Sequence, residues 1–277
     1  MNGTEAIAAV LAQVMGQDAS VHLIGEALPL SGASAPMLAA HPERCHLLPA
    51  ADASLVGIAI GIALSGGKPV VELSGTAALW GALQQLGQES TALQGEFQGT
   101  LVLRVPVVPG ASVPLPVLSG LDHVQVVSPS NAADAGLMLQ AALARAGVTV
   151  ILEPLTVLGE AGGVAGSEDL GKATTVQAGA HVTIGAWGAG VESALKASRT
   201  LRAEGIDAEV IDLRCLAPLD ADTLSASVHK TGRLILVDGS ADMLRAATSA
   251  SFLRLESPPT LADPDQIITQ ARAAIQF

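Results

Sequence analysis

Asp52 is the residue whose type and position in this sequence most readily suggest chemistry. It is the only carboxylate in the first half of the stretch PAADASLVGIAIGIALSGGKPVVE, which spans residues 49–72. An apolar segment follows it, with Gly57 and Gly61 four residues apart, a spacing that places both on one helix face and lets a neighbouring element approach closely. An acid at the start of such a helix either caps the helix N-terminus or acts as a working carboxylate. The residues alone leave both interpretations open.

The segment GAWGAG at residues 185–190 is a second candidate, because it lies between a predicted strand and a predicted helix. Such a turn can bind a pyrophosphate at the helix N-terminus. However, its glycines follow the order G-x-x-G-x-G instead of G-x-G-x-x-G, and Trp187 occupies the tight turn. Close packing of the strand against the helix is therefore favoured over a nucleotide site.

His41, Cys45 and His46 lie close enough in sequence to be considered as metal ligands. A zinc site needs more ligands than these, and the chain has no Cys-x-x-Cys pair. We therefore expect no metal site here, and a loop with local hydrogen bonds is the favoured interpretation. The remaining histidines fall at predicted strand starts or helix ends, and none is singled out as a general base: His22, His123, His181 and His229.

Composition narrows the class of protein and its partners. The chain has 277 residues, of which 49% are hydrophobic and 14% charged, so it can bury a large core and is not disordered. Its formal net charge of −12 argues against nucleic acid and anionic membranes as partners. Two cysteines make no disulfide framework, the N-terminus lacks the basic region of a signal peptide, and the run IAIGIAL is too short to span a bilayer. We expect a cytoplasmic protein.

Predicted strands and helices alternate along the chain, which indicates βαβ units and parallel sheets. Composition shifts toward Gly, Ala and charge after residue 157, so we place a linker at 158–177 between domains at 1–157 and 178–277. The expected fold class is α/β, with two three-layer domains. The proline-rich segment 106–120 is predicted to be a loop, and Asn131 is predicted to cap a helix.

Several strings in both halves resemble the beta subunits of the decarboxylating component of 2-oxo acid dehydrogenases, which are transketolase-like proteins. The second half contains AEVIDLRCLAPLDADTLSASVHKTGRLILVD at residues 208–238, similar to the family pattern VIDLRTLxPLD…SVxKTGRLxVVDE. In the first half, IGEAL resembles IGEDV, and the stretch around Asp52 resembles PxSEAGIVGxAIGxALxGxRPVVEI. The resemblance covers nearly the whole chain. It implies a transketolase pyrimidine-type domain followed by a transketolase C-terminal-type domain.

The resemblance also implies a cofactor, a site and partners. Thiamine diphosphate would bind between this chain and an alpha subunit, which would hold the diphosphate and its magnesium. Asp52 falls at the position of the family's catalytic glutamate, which hydrogen-bonds a ring nitrogen of the aminopyrimidine. The same alignment assigns Glu26, Ala51 and Ala78 to the cofactor pocket. A homodimer of this chain, joined to alpha subunits in a heterotetramer, would be the expected assembly.

Departures from the family pattern lie at the catalytic positions. Asp52 is one methylene shorter than the glutamate, and Ala78 stands where the family has an aromatic residue that packs on the aminopyrimidine. The segment 106–120 contains no histidine, whereas the family's loop carries one that assists acyl transfer. Two functions therefore remain open: a divergent thiamine-diphosphate-dependent subunit, and a catalytically degenerate member that acts as a dimeric scaffold or regulatory subunit.

Overall fold

A computed structural model describes residues 1–26, 32–49, 52–92, 97–121, 123–163, 166–237 and 263–275. The chain divides into two compact units, Met1–Leu170 and Gly171–Phe277. The predicted linker at 158–177 spans this division. No helix in the described ranges is long and apolar enough to cross a membrane.

The first unit alternates strands and helices, as the sequence predicts. Its helices are α1 (Gly3–Gln17), α2 (Ala35–Ala40), α3 (Asp52–Leu64), α4 (Leu79–Ala92), α5 (Leu115–Leu118), α6 (Ala132–Leu143) and α7 (Leu155–Gly159). Its strands are β1 (Val21–Gly25), β2 (Cys45–Leu47), β3 (Lys68–Glu72), β4 (Thr100–Val107), β5 (Val124–Val127) and β6 (Gly147–Pro154).

These strands form a parallel sheet, which we call the first sheet, in the order β5-β6-β4-β3-β1-β2. The central strands are runs of Val, Leu and Ile that are buried along most of their length, as expected for a sheet with helices on both faces. Asn131 caps α6, because its Oδ1 accepts a hydrogen bond of 3.0 Å from the Asp134 amide. That cap confirms the prediction made from the sequence.

The second unit is a smaller α/β layer structure. Its strands are β7 (Thr174–Gln177), β8 (Val182–Ala186), β9 (Ala208–Asp212), β10 (Cys215–Ala217) and β11 (Leu234–Leu236), and its helices are α8 (Gly190–Ala203), α9 (Ala221–Thr231) and α10 (Pro264–Ile275). The sheet has the order β11-β8-β9-β7, with β8 parallel to both β9 and β11. β7 pairs antiparallel with β9.

The prediction that 106–120 is entirely a loop is wrong in two places. β4 continues through Pro106 to Val107, because its pairing with β3 ends at Arg104 and only β6 pairs with it beyond that point. A proline on such a half-paired stretch need not break the ladder. Further on, Pro114 and Pro116 lie at the start of the short helix α5, where a missing amide hydrogen costs little.

Candidate functional site

A cavity of about 460 Å³ lies at the carboxyl edge of the first sheet, and we call it the edge pocket. It is bordered by the ends of β1, β3, β4 and β6 and by residues from α1 and α7. Its lining residues are Thr4, Glu26, Gly32, Ala33, Glu72, Leu73, Ser74, Arg104, Pro106, Glu153, Leu155 and Leu158.

Strand register explains why these residues meet. Gly25 lies opposite Glu72, Glu72 opposite Arg104, and Pro106 opposite Glu153, so the carboxyl ends of four parallel strands share one edge. The chain leaves β1 toward β2 on one side and leaves β3 toward β4 on the other, so the strand order reverses between β1 and β3. Open α/β sheets bind their ligands at such a switch point, outside the carboxyl ends of the strands.

A buried charged network forms the floor of the edge pocket. Arg104 donates to both oxygens of Glu153, with Nε–Oε1 at 2.7 Å and Nη2–Oε2 at 3.0 Å. Its Nη1 donates to Glu72 Oε1, which also accepts a hydrogen bond from the Ser34 hydroxyl. Arg104, Glu153 and Ser34 are at most 4% exposed. The network therefore ties β3, β4 and β6 to Ser34, the residue before α2.

The network leaves the pocket negatively charged. Burial acts to lower the pKa of Arg104, but the neighbouring carboxylates of Glu153 and Glu72 outweigh it and raise that pKa above its ordinary value. Arg104 thus stays cationic, and its Nε, Nη1 and Nη2 all donate to carboxylates. Among the described lining residues it is the sole cation, against three glutamates at positions 26, 72 and 153. The pocket suits a ligand that presents hydrogen-bond donors, and its described lining offers no free cation to an anion.

The structure brings one predicted site residue to the edge pocket. Glu26 follows β1 directly, is exposed, and lines the pocket. Asp52 is the first residue of α3, but its side chain and the whole of Ala51 lie outside the described residues. The roles predicted for Asp52 and Ala51 therefore remain predictions.

Ala78 does not line the edge pocket. It ends the 3₁₀ turn Thr76–Ala78, which leads into α4, and is 2% exposed. Trp80, two residues further on, is 61% exposed. Because Trp80 lies largely in solvent, it is not a buried stacking partner in place of the missing aromatic residue.

Sequence reasoning missed Ser34, Arg104 and Glu153, and Glu72 entered it only as the last residue of the stretch around Asp52. A signal was present, because Arg104 and Glu153 are charged residues within otherwise apolar strands, TLVLRV and VILEP. Buried strands seldom carry a charge unless it is paired. Two such strands with opposite charges near their ends indicate an internal ion pair.

The other motifs resolve as structural features. A Cβ added at Gly185 would lie 2.8 Å from Leu236 Cδ2, so this glycine permits close packing between β8 and β11. Cys45 is buried, and burial raises the pKa of its thiol. His41 contacts Arg44 Nη2 at 2.7 Å, and His46 faces His22. Within the described ranges, no three or more His, Cys, Asp and Glu residues cluster closely enough to hold a metal ion.

Comparisons with known protein families match both units. The transketolase pyrimidine binding domain family matches residues 1–159, and the transketolase C-terminal domain family matches residues 171–251. These matches agree with the order of domains expected from the sequence.

Individual relatives match over most of their length. The chain is 30% identical over 287 residues to the pyruvate dehydrogenase E1 component subunit beta of Acholeplasma laidlawii, covering 92% of this chain and 86% of that protein. It is 32% identical over 276 residues to the acetoin:2,6-dichlorophenolindophenol oxidoreductase subunit beta of Cupriavidus necator, covering 89% of this chain and 81% of that protein. A solved structure described as a split gene transketolase, inactive beta4 tetramer, has the same fold, with a TM-score of 0.76 at 20% identity over 100% of this chain and 98% of that one.

Proposed function

The chain belongs to the transketolase-like family that includes the E1 beta subunits of 2-oxo acid dehydrogenases, and on that premise we propose that it serves as such a beta-type subunit. In this role it would supply the aminopyrimidine side of a thiamine diphosphate site. The alpha side of the site would come from a second kind of subunit.

The observation that carries this proposal is the acidic edge pocket at the switch point of the first sheet. Thiamine diphosphate has two ends with different needs: the aminopyrimidine presents an amino group and ring nitrogens, whereas the diphosphate is an anion that needs cations. The described lining residues fit the first end, since Glu26 adds an exposed acceptor at the pocket. They do not fit the second, since Arg104 is held by Glu72 and Glu153.

Asp52 is the residue we assign to proton control at the cofactor. Its carboxylate would accept a hydrogen bond from the protonated ring nitrogen of the aminopyrimidine, the role of the family's glutamate. Glu26 would position the ring from the end of β1, and Ala51 would contribute apolar wall. When bound, thiamine diphosphate supplies the carbanion-stabilising chemistry of 2-oxo acid decarboxylation. This chain's contribution is therefore binding, orientation and a charge close to the ring.

The division of the cofactor predicts the partners. Because the described lining of the edge pocket has no cation to spare, an alpha subunit would hold the diphosphate and magnesium, and the cofactor would bind only where both chains meet. The net charge of −12 suits a partner with a basic contact surface. We propose a heterotetramer built on a homodimer of this chain.

A second function is favoured by the absence of an aromatic residue at Ala78. A ring stacked on a ring is worth about 0.5–1.5 kcal/mol beyond area burial, and a buried alanine cannot supply it. Segment 106–120 also lacks the histidine that the family uses in acyl transfer. The alternative is thus a catalytically degenerate subunit that acts as a dimeric scaffold or regulator.

Turnover separates the two functions. The chain is combined with an alpha-type subunit, thiamine diphosphate and magnesium, and release of CO2 from pyruvate and other small 2-oxo acids is measured with a dye as electron acceptor. The proposal predicts CO2 release that falls in Glu26→Gln and is unchanged in the matched surface variant Glu168→Gln. If no 2-oxo acid is decarboxylated, the scaffold function replaces the catalytic one. If CO2 is released but Glu26→Gln and Glu168→Gln behave alike, Glu26 has no role at the cofactor.

A further inference from the structure

A groove of about 480 Å³ lies outside the edge pocket, between α3 and the strands β1 and β2. Strand β2 is the edge of the first sheet, with β1 as its neighbour. The groove is open, with one wall from α3 and two imidazole rings on the opposite side. Its lining residues are His22, His46, Ile58, Gly61, Ile62, Ser65 and Gly67.

The two imidazoles face each other across neighbouring strands. Nδ1 of His22 lies 3.1 Å from Nε2 of His46, and the rings are stacked with centroids 5.3 Å apart and planes inclined by 20°. Two neutral imidazoles can share one hydrogen bond at this distance, with one nitrogen donating and the other accepting. Two protonated rings could not, since both nitrogens would then be donors.

The same separation suits two ligands of one metal ion. Imidazole nitrogens bind zinc at about 2.0–2.1 Å, so two of them at angles between square and tetrahedral lie roughly 2.8–3.4 Å apart. The observed 3.1 Å falls within this range. Because the ring centroids lie 5.3 Å apart, the two nitrogens point nearly at each other, so both rings would have to turn before a metal ion could replace the shared proton.

The surroundings decide how the coordination of a bound ion would be completed. The nearby cation Arg44 is engaged with Glu43 Oε1 at 3.2 Å and with the Met15 carbonyl at 2.9 Å. With no third protein ligand clustered here among the described residues, water from the open groove would complete the coordination.

We propose that His22 and His46 form a two-imidazole site for a borderline divalent transition metal ion such as Zn²⁺ or Ni²⁺. Imidazole suits these ions, whereas Mg²⁺ and Ca²⁺ prefer oxygen ligands. The bound ion would join edge strand β2 to β1. This differs from the expectation drawn from the sequence, which considered His46 with His41 and Cys45 and placed no metal here. His22 lies 24 residues from His46 in the chain and meets it only in the sheet.

The test is a calorimetric titration of the full-length protein, free of tags, with ZnCl₂ and separately with NiCl₂. The matched variants are His22→Gln and His46→Gln, with His229→Gln as control, because His229 is an exposed residue of α9. Losing an outer-shell partner of a metal ligand already costs about 10–100-fold in affinity. Losing one of two ligands should therefore weaken binding by at least about tenfold, and His229→Gln should leave it unchanged.

The stoichiometry should be one ion per chain in the wild type, and MgCl₂ should give no signal. Circular dichroism of each variant checks that the fold is retained, and the nitrogen coordination of a bound Ni²⁺ ion, read by X-ray absorption, gives a readout that does not depend on stability. Equal affinity in the wild type and in His46→Gln, or a bound Ni²⁺ ion with fewer than two imidazole nitrogens in the wild type, would overturn the site. The titration needs no alpha subunit and no thiamine diphosphate, so its result is independent of the proposed function.

Discussion

Asp52 carries the chemistry proposed for this chain with one methylene fewer than the glutamate of its family. A carboxylate displaced by about 1 Å from its productive position can lose roughly a hundredfold in rate. The shorter side chain can therefore limit the rate even though the charge is kept. The shorter side chain also allows a test by gain of activity, since a variant that restores the length should be faster than the wild type.

Asp52→Glu should raise the rate of 2-oxo acid decarboxylation in the complex with an alpha-type subunit, by as much as about a hundredfold if reach alone limits it. Steady-state kinetics with pyruvate measure this, with Asp52→Asn as the isosteric variant that keeps the length and removes the charge. A rate that stays the same in Asp52→Glu and Asp52→Asn would show that this carboxylate does not act at the cofactor.

Arg104 illustrates why a paired charge can be buried in this core. Its guanidinium matches the Glu153 carboxylate with two hydrogen bonds and reaches Glu72 with a third nitrogen. Breaking such a pair costs more than the pair itself contributes, because the remaining charge stays buried and uncompensated. The network is thus a structural support of the edge pocket.

Arg104→Met should destabilise the first unit by about 3–5 kcal/mol, since it leaves two buried carboxylates without their cation. The control is Arg199→Met, whose partner Glu192 lies 4.0 Å away and whose side chain is 65% exposed, so that less than about 1 kcal/mol is expected. Urea unfolding followed by circular dichroism gives the difference, and hydrogen exchange in β4 and β6 assigns it to the first unit. Similar losses in the two variants would contradict a supporting role for the network.

At the scale of elements, helix α9 is held at its start by one carboxylate. Asp220 Oδ2 accepts hydrogen bonds from the Thr223 hydroxyl at 2.7 Å and from the Ala173 amide at 3.2 Å, and Oδ1 accepts from the Thr223 amide. Burial acts to raise the pKa of Asp220, but these bonds and Lys172 lower it overall. The aspartate in the family string LAPLD is therefore explained here as a helix cap that also fixes the chain before β7.

Asp220→Ala should cost about 0.5–2 kcal/mol of stability at neutral pH through loss of the cap. Asp220→Asn keeps an acceptor oxygen and should cost less, while Asp222→Ala, an exposed neighbour in the same turn, serves as control. Because the folded pKa of Asp220 is depressed, its stabilisation is fully present above the ordinary value of 3.8 and is lost as pH falls through the lower folded value.

Thermal unfolding of the wild type and of Asp220→Asn, measured from neutral pH into the acid range, tests the direction of this pH dependence. The wild type should lose more stability on acidification than Asp220→Asn, so the two curves should converge as pH falls below about 4. Curves that stay parallel over this range would show that the Asp220 charge contributes nothing to folding.

The elements that the sequence predicts are those with strong local signals, and the others depend on neighbours. Asn131 before an apolar periodic run predicts the cap of α6 because both signals lie within a few residues. β2 has 3 residues and β7 has 4, so neither is long enough to be recognised as a strand from its sequence. β7 moreover lies in the predicted linker. Pro106 is accommodated because β3 stops pairing at Arg104, which depends on sheet order. The apolar pattern FLRLES predicts a strand at 252–257, and these residues lie outside the described ones.

The same reasoning applies to the site. Glu26, assigned to the cofactor pocket from its place in the string IGEAL, lines the edge pocket, and its role toward a cofactor stays a prediction. Glu72, Arg104 and Glu153 are 32 and 49 residues apart along the chain and meet only through the order β3-β4-β6. A local string can therefore assign a single residue, whereas a network needs the sheet.

At the scale of the whole molecule, the account depends on a cofactor divided between two kinds of subunit. The chain has the two domains of its family, and its edge pocket offers acceptors to one end of thiamine diphosphate. The other end requires cations that the described lining of this pocket does not have to spare. The central claim is that binding needs both chains and depends on Asp52.

Calorimetric titration of thiamine diphosphate with magnesium tests that claim most directly, using this chain alone, an alpha-type subunit alone, and their mixture. Asp52→Ala and the exposed control Asp169→Ala are titrated in the same mixture. The account predicts saturable binding only in the mixture, weakened in Asp52→Ala and unchanged in Asp169→Ala. Absence of binding in the mixture, or equal affinity in Asp52→Ala and the wild type, would contradict it.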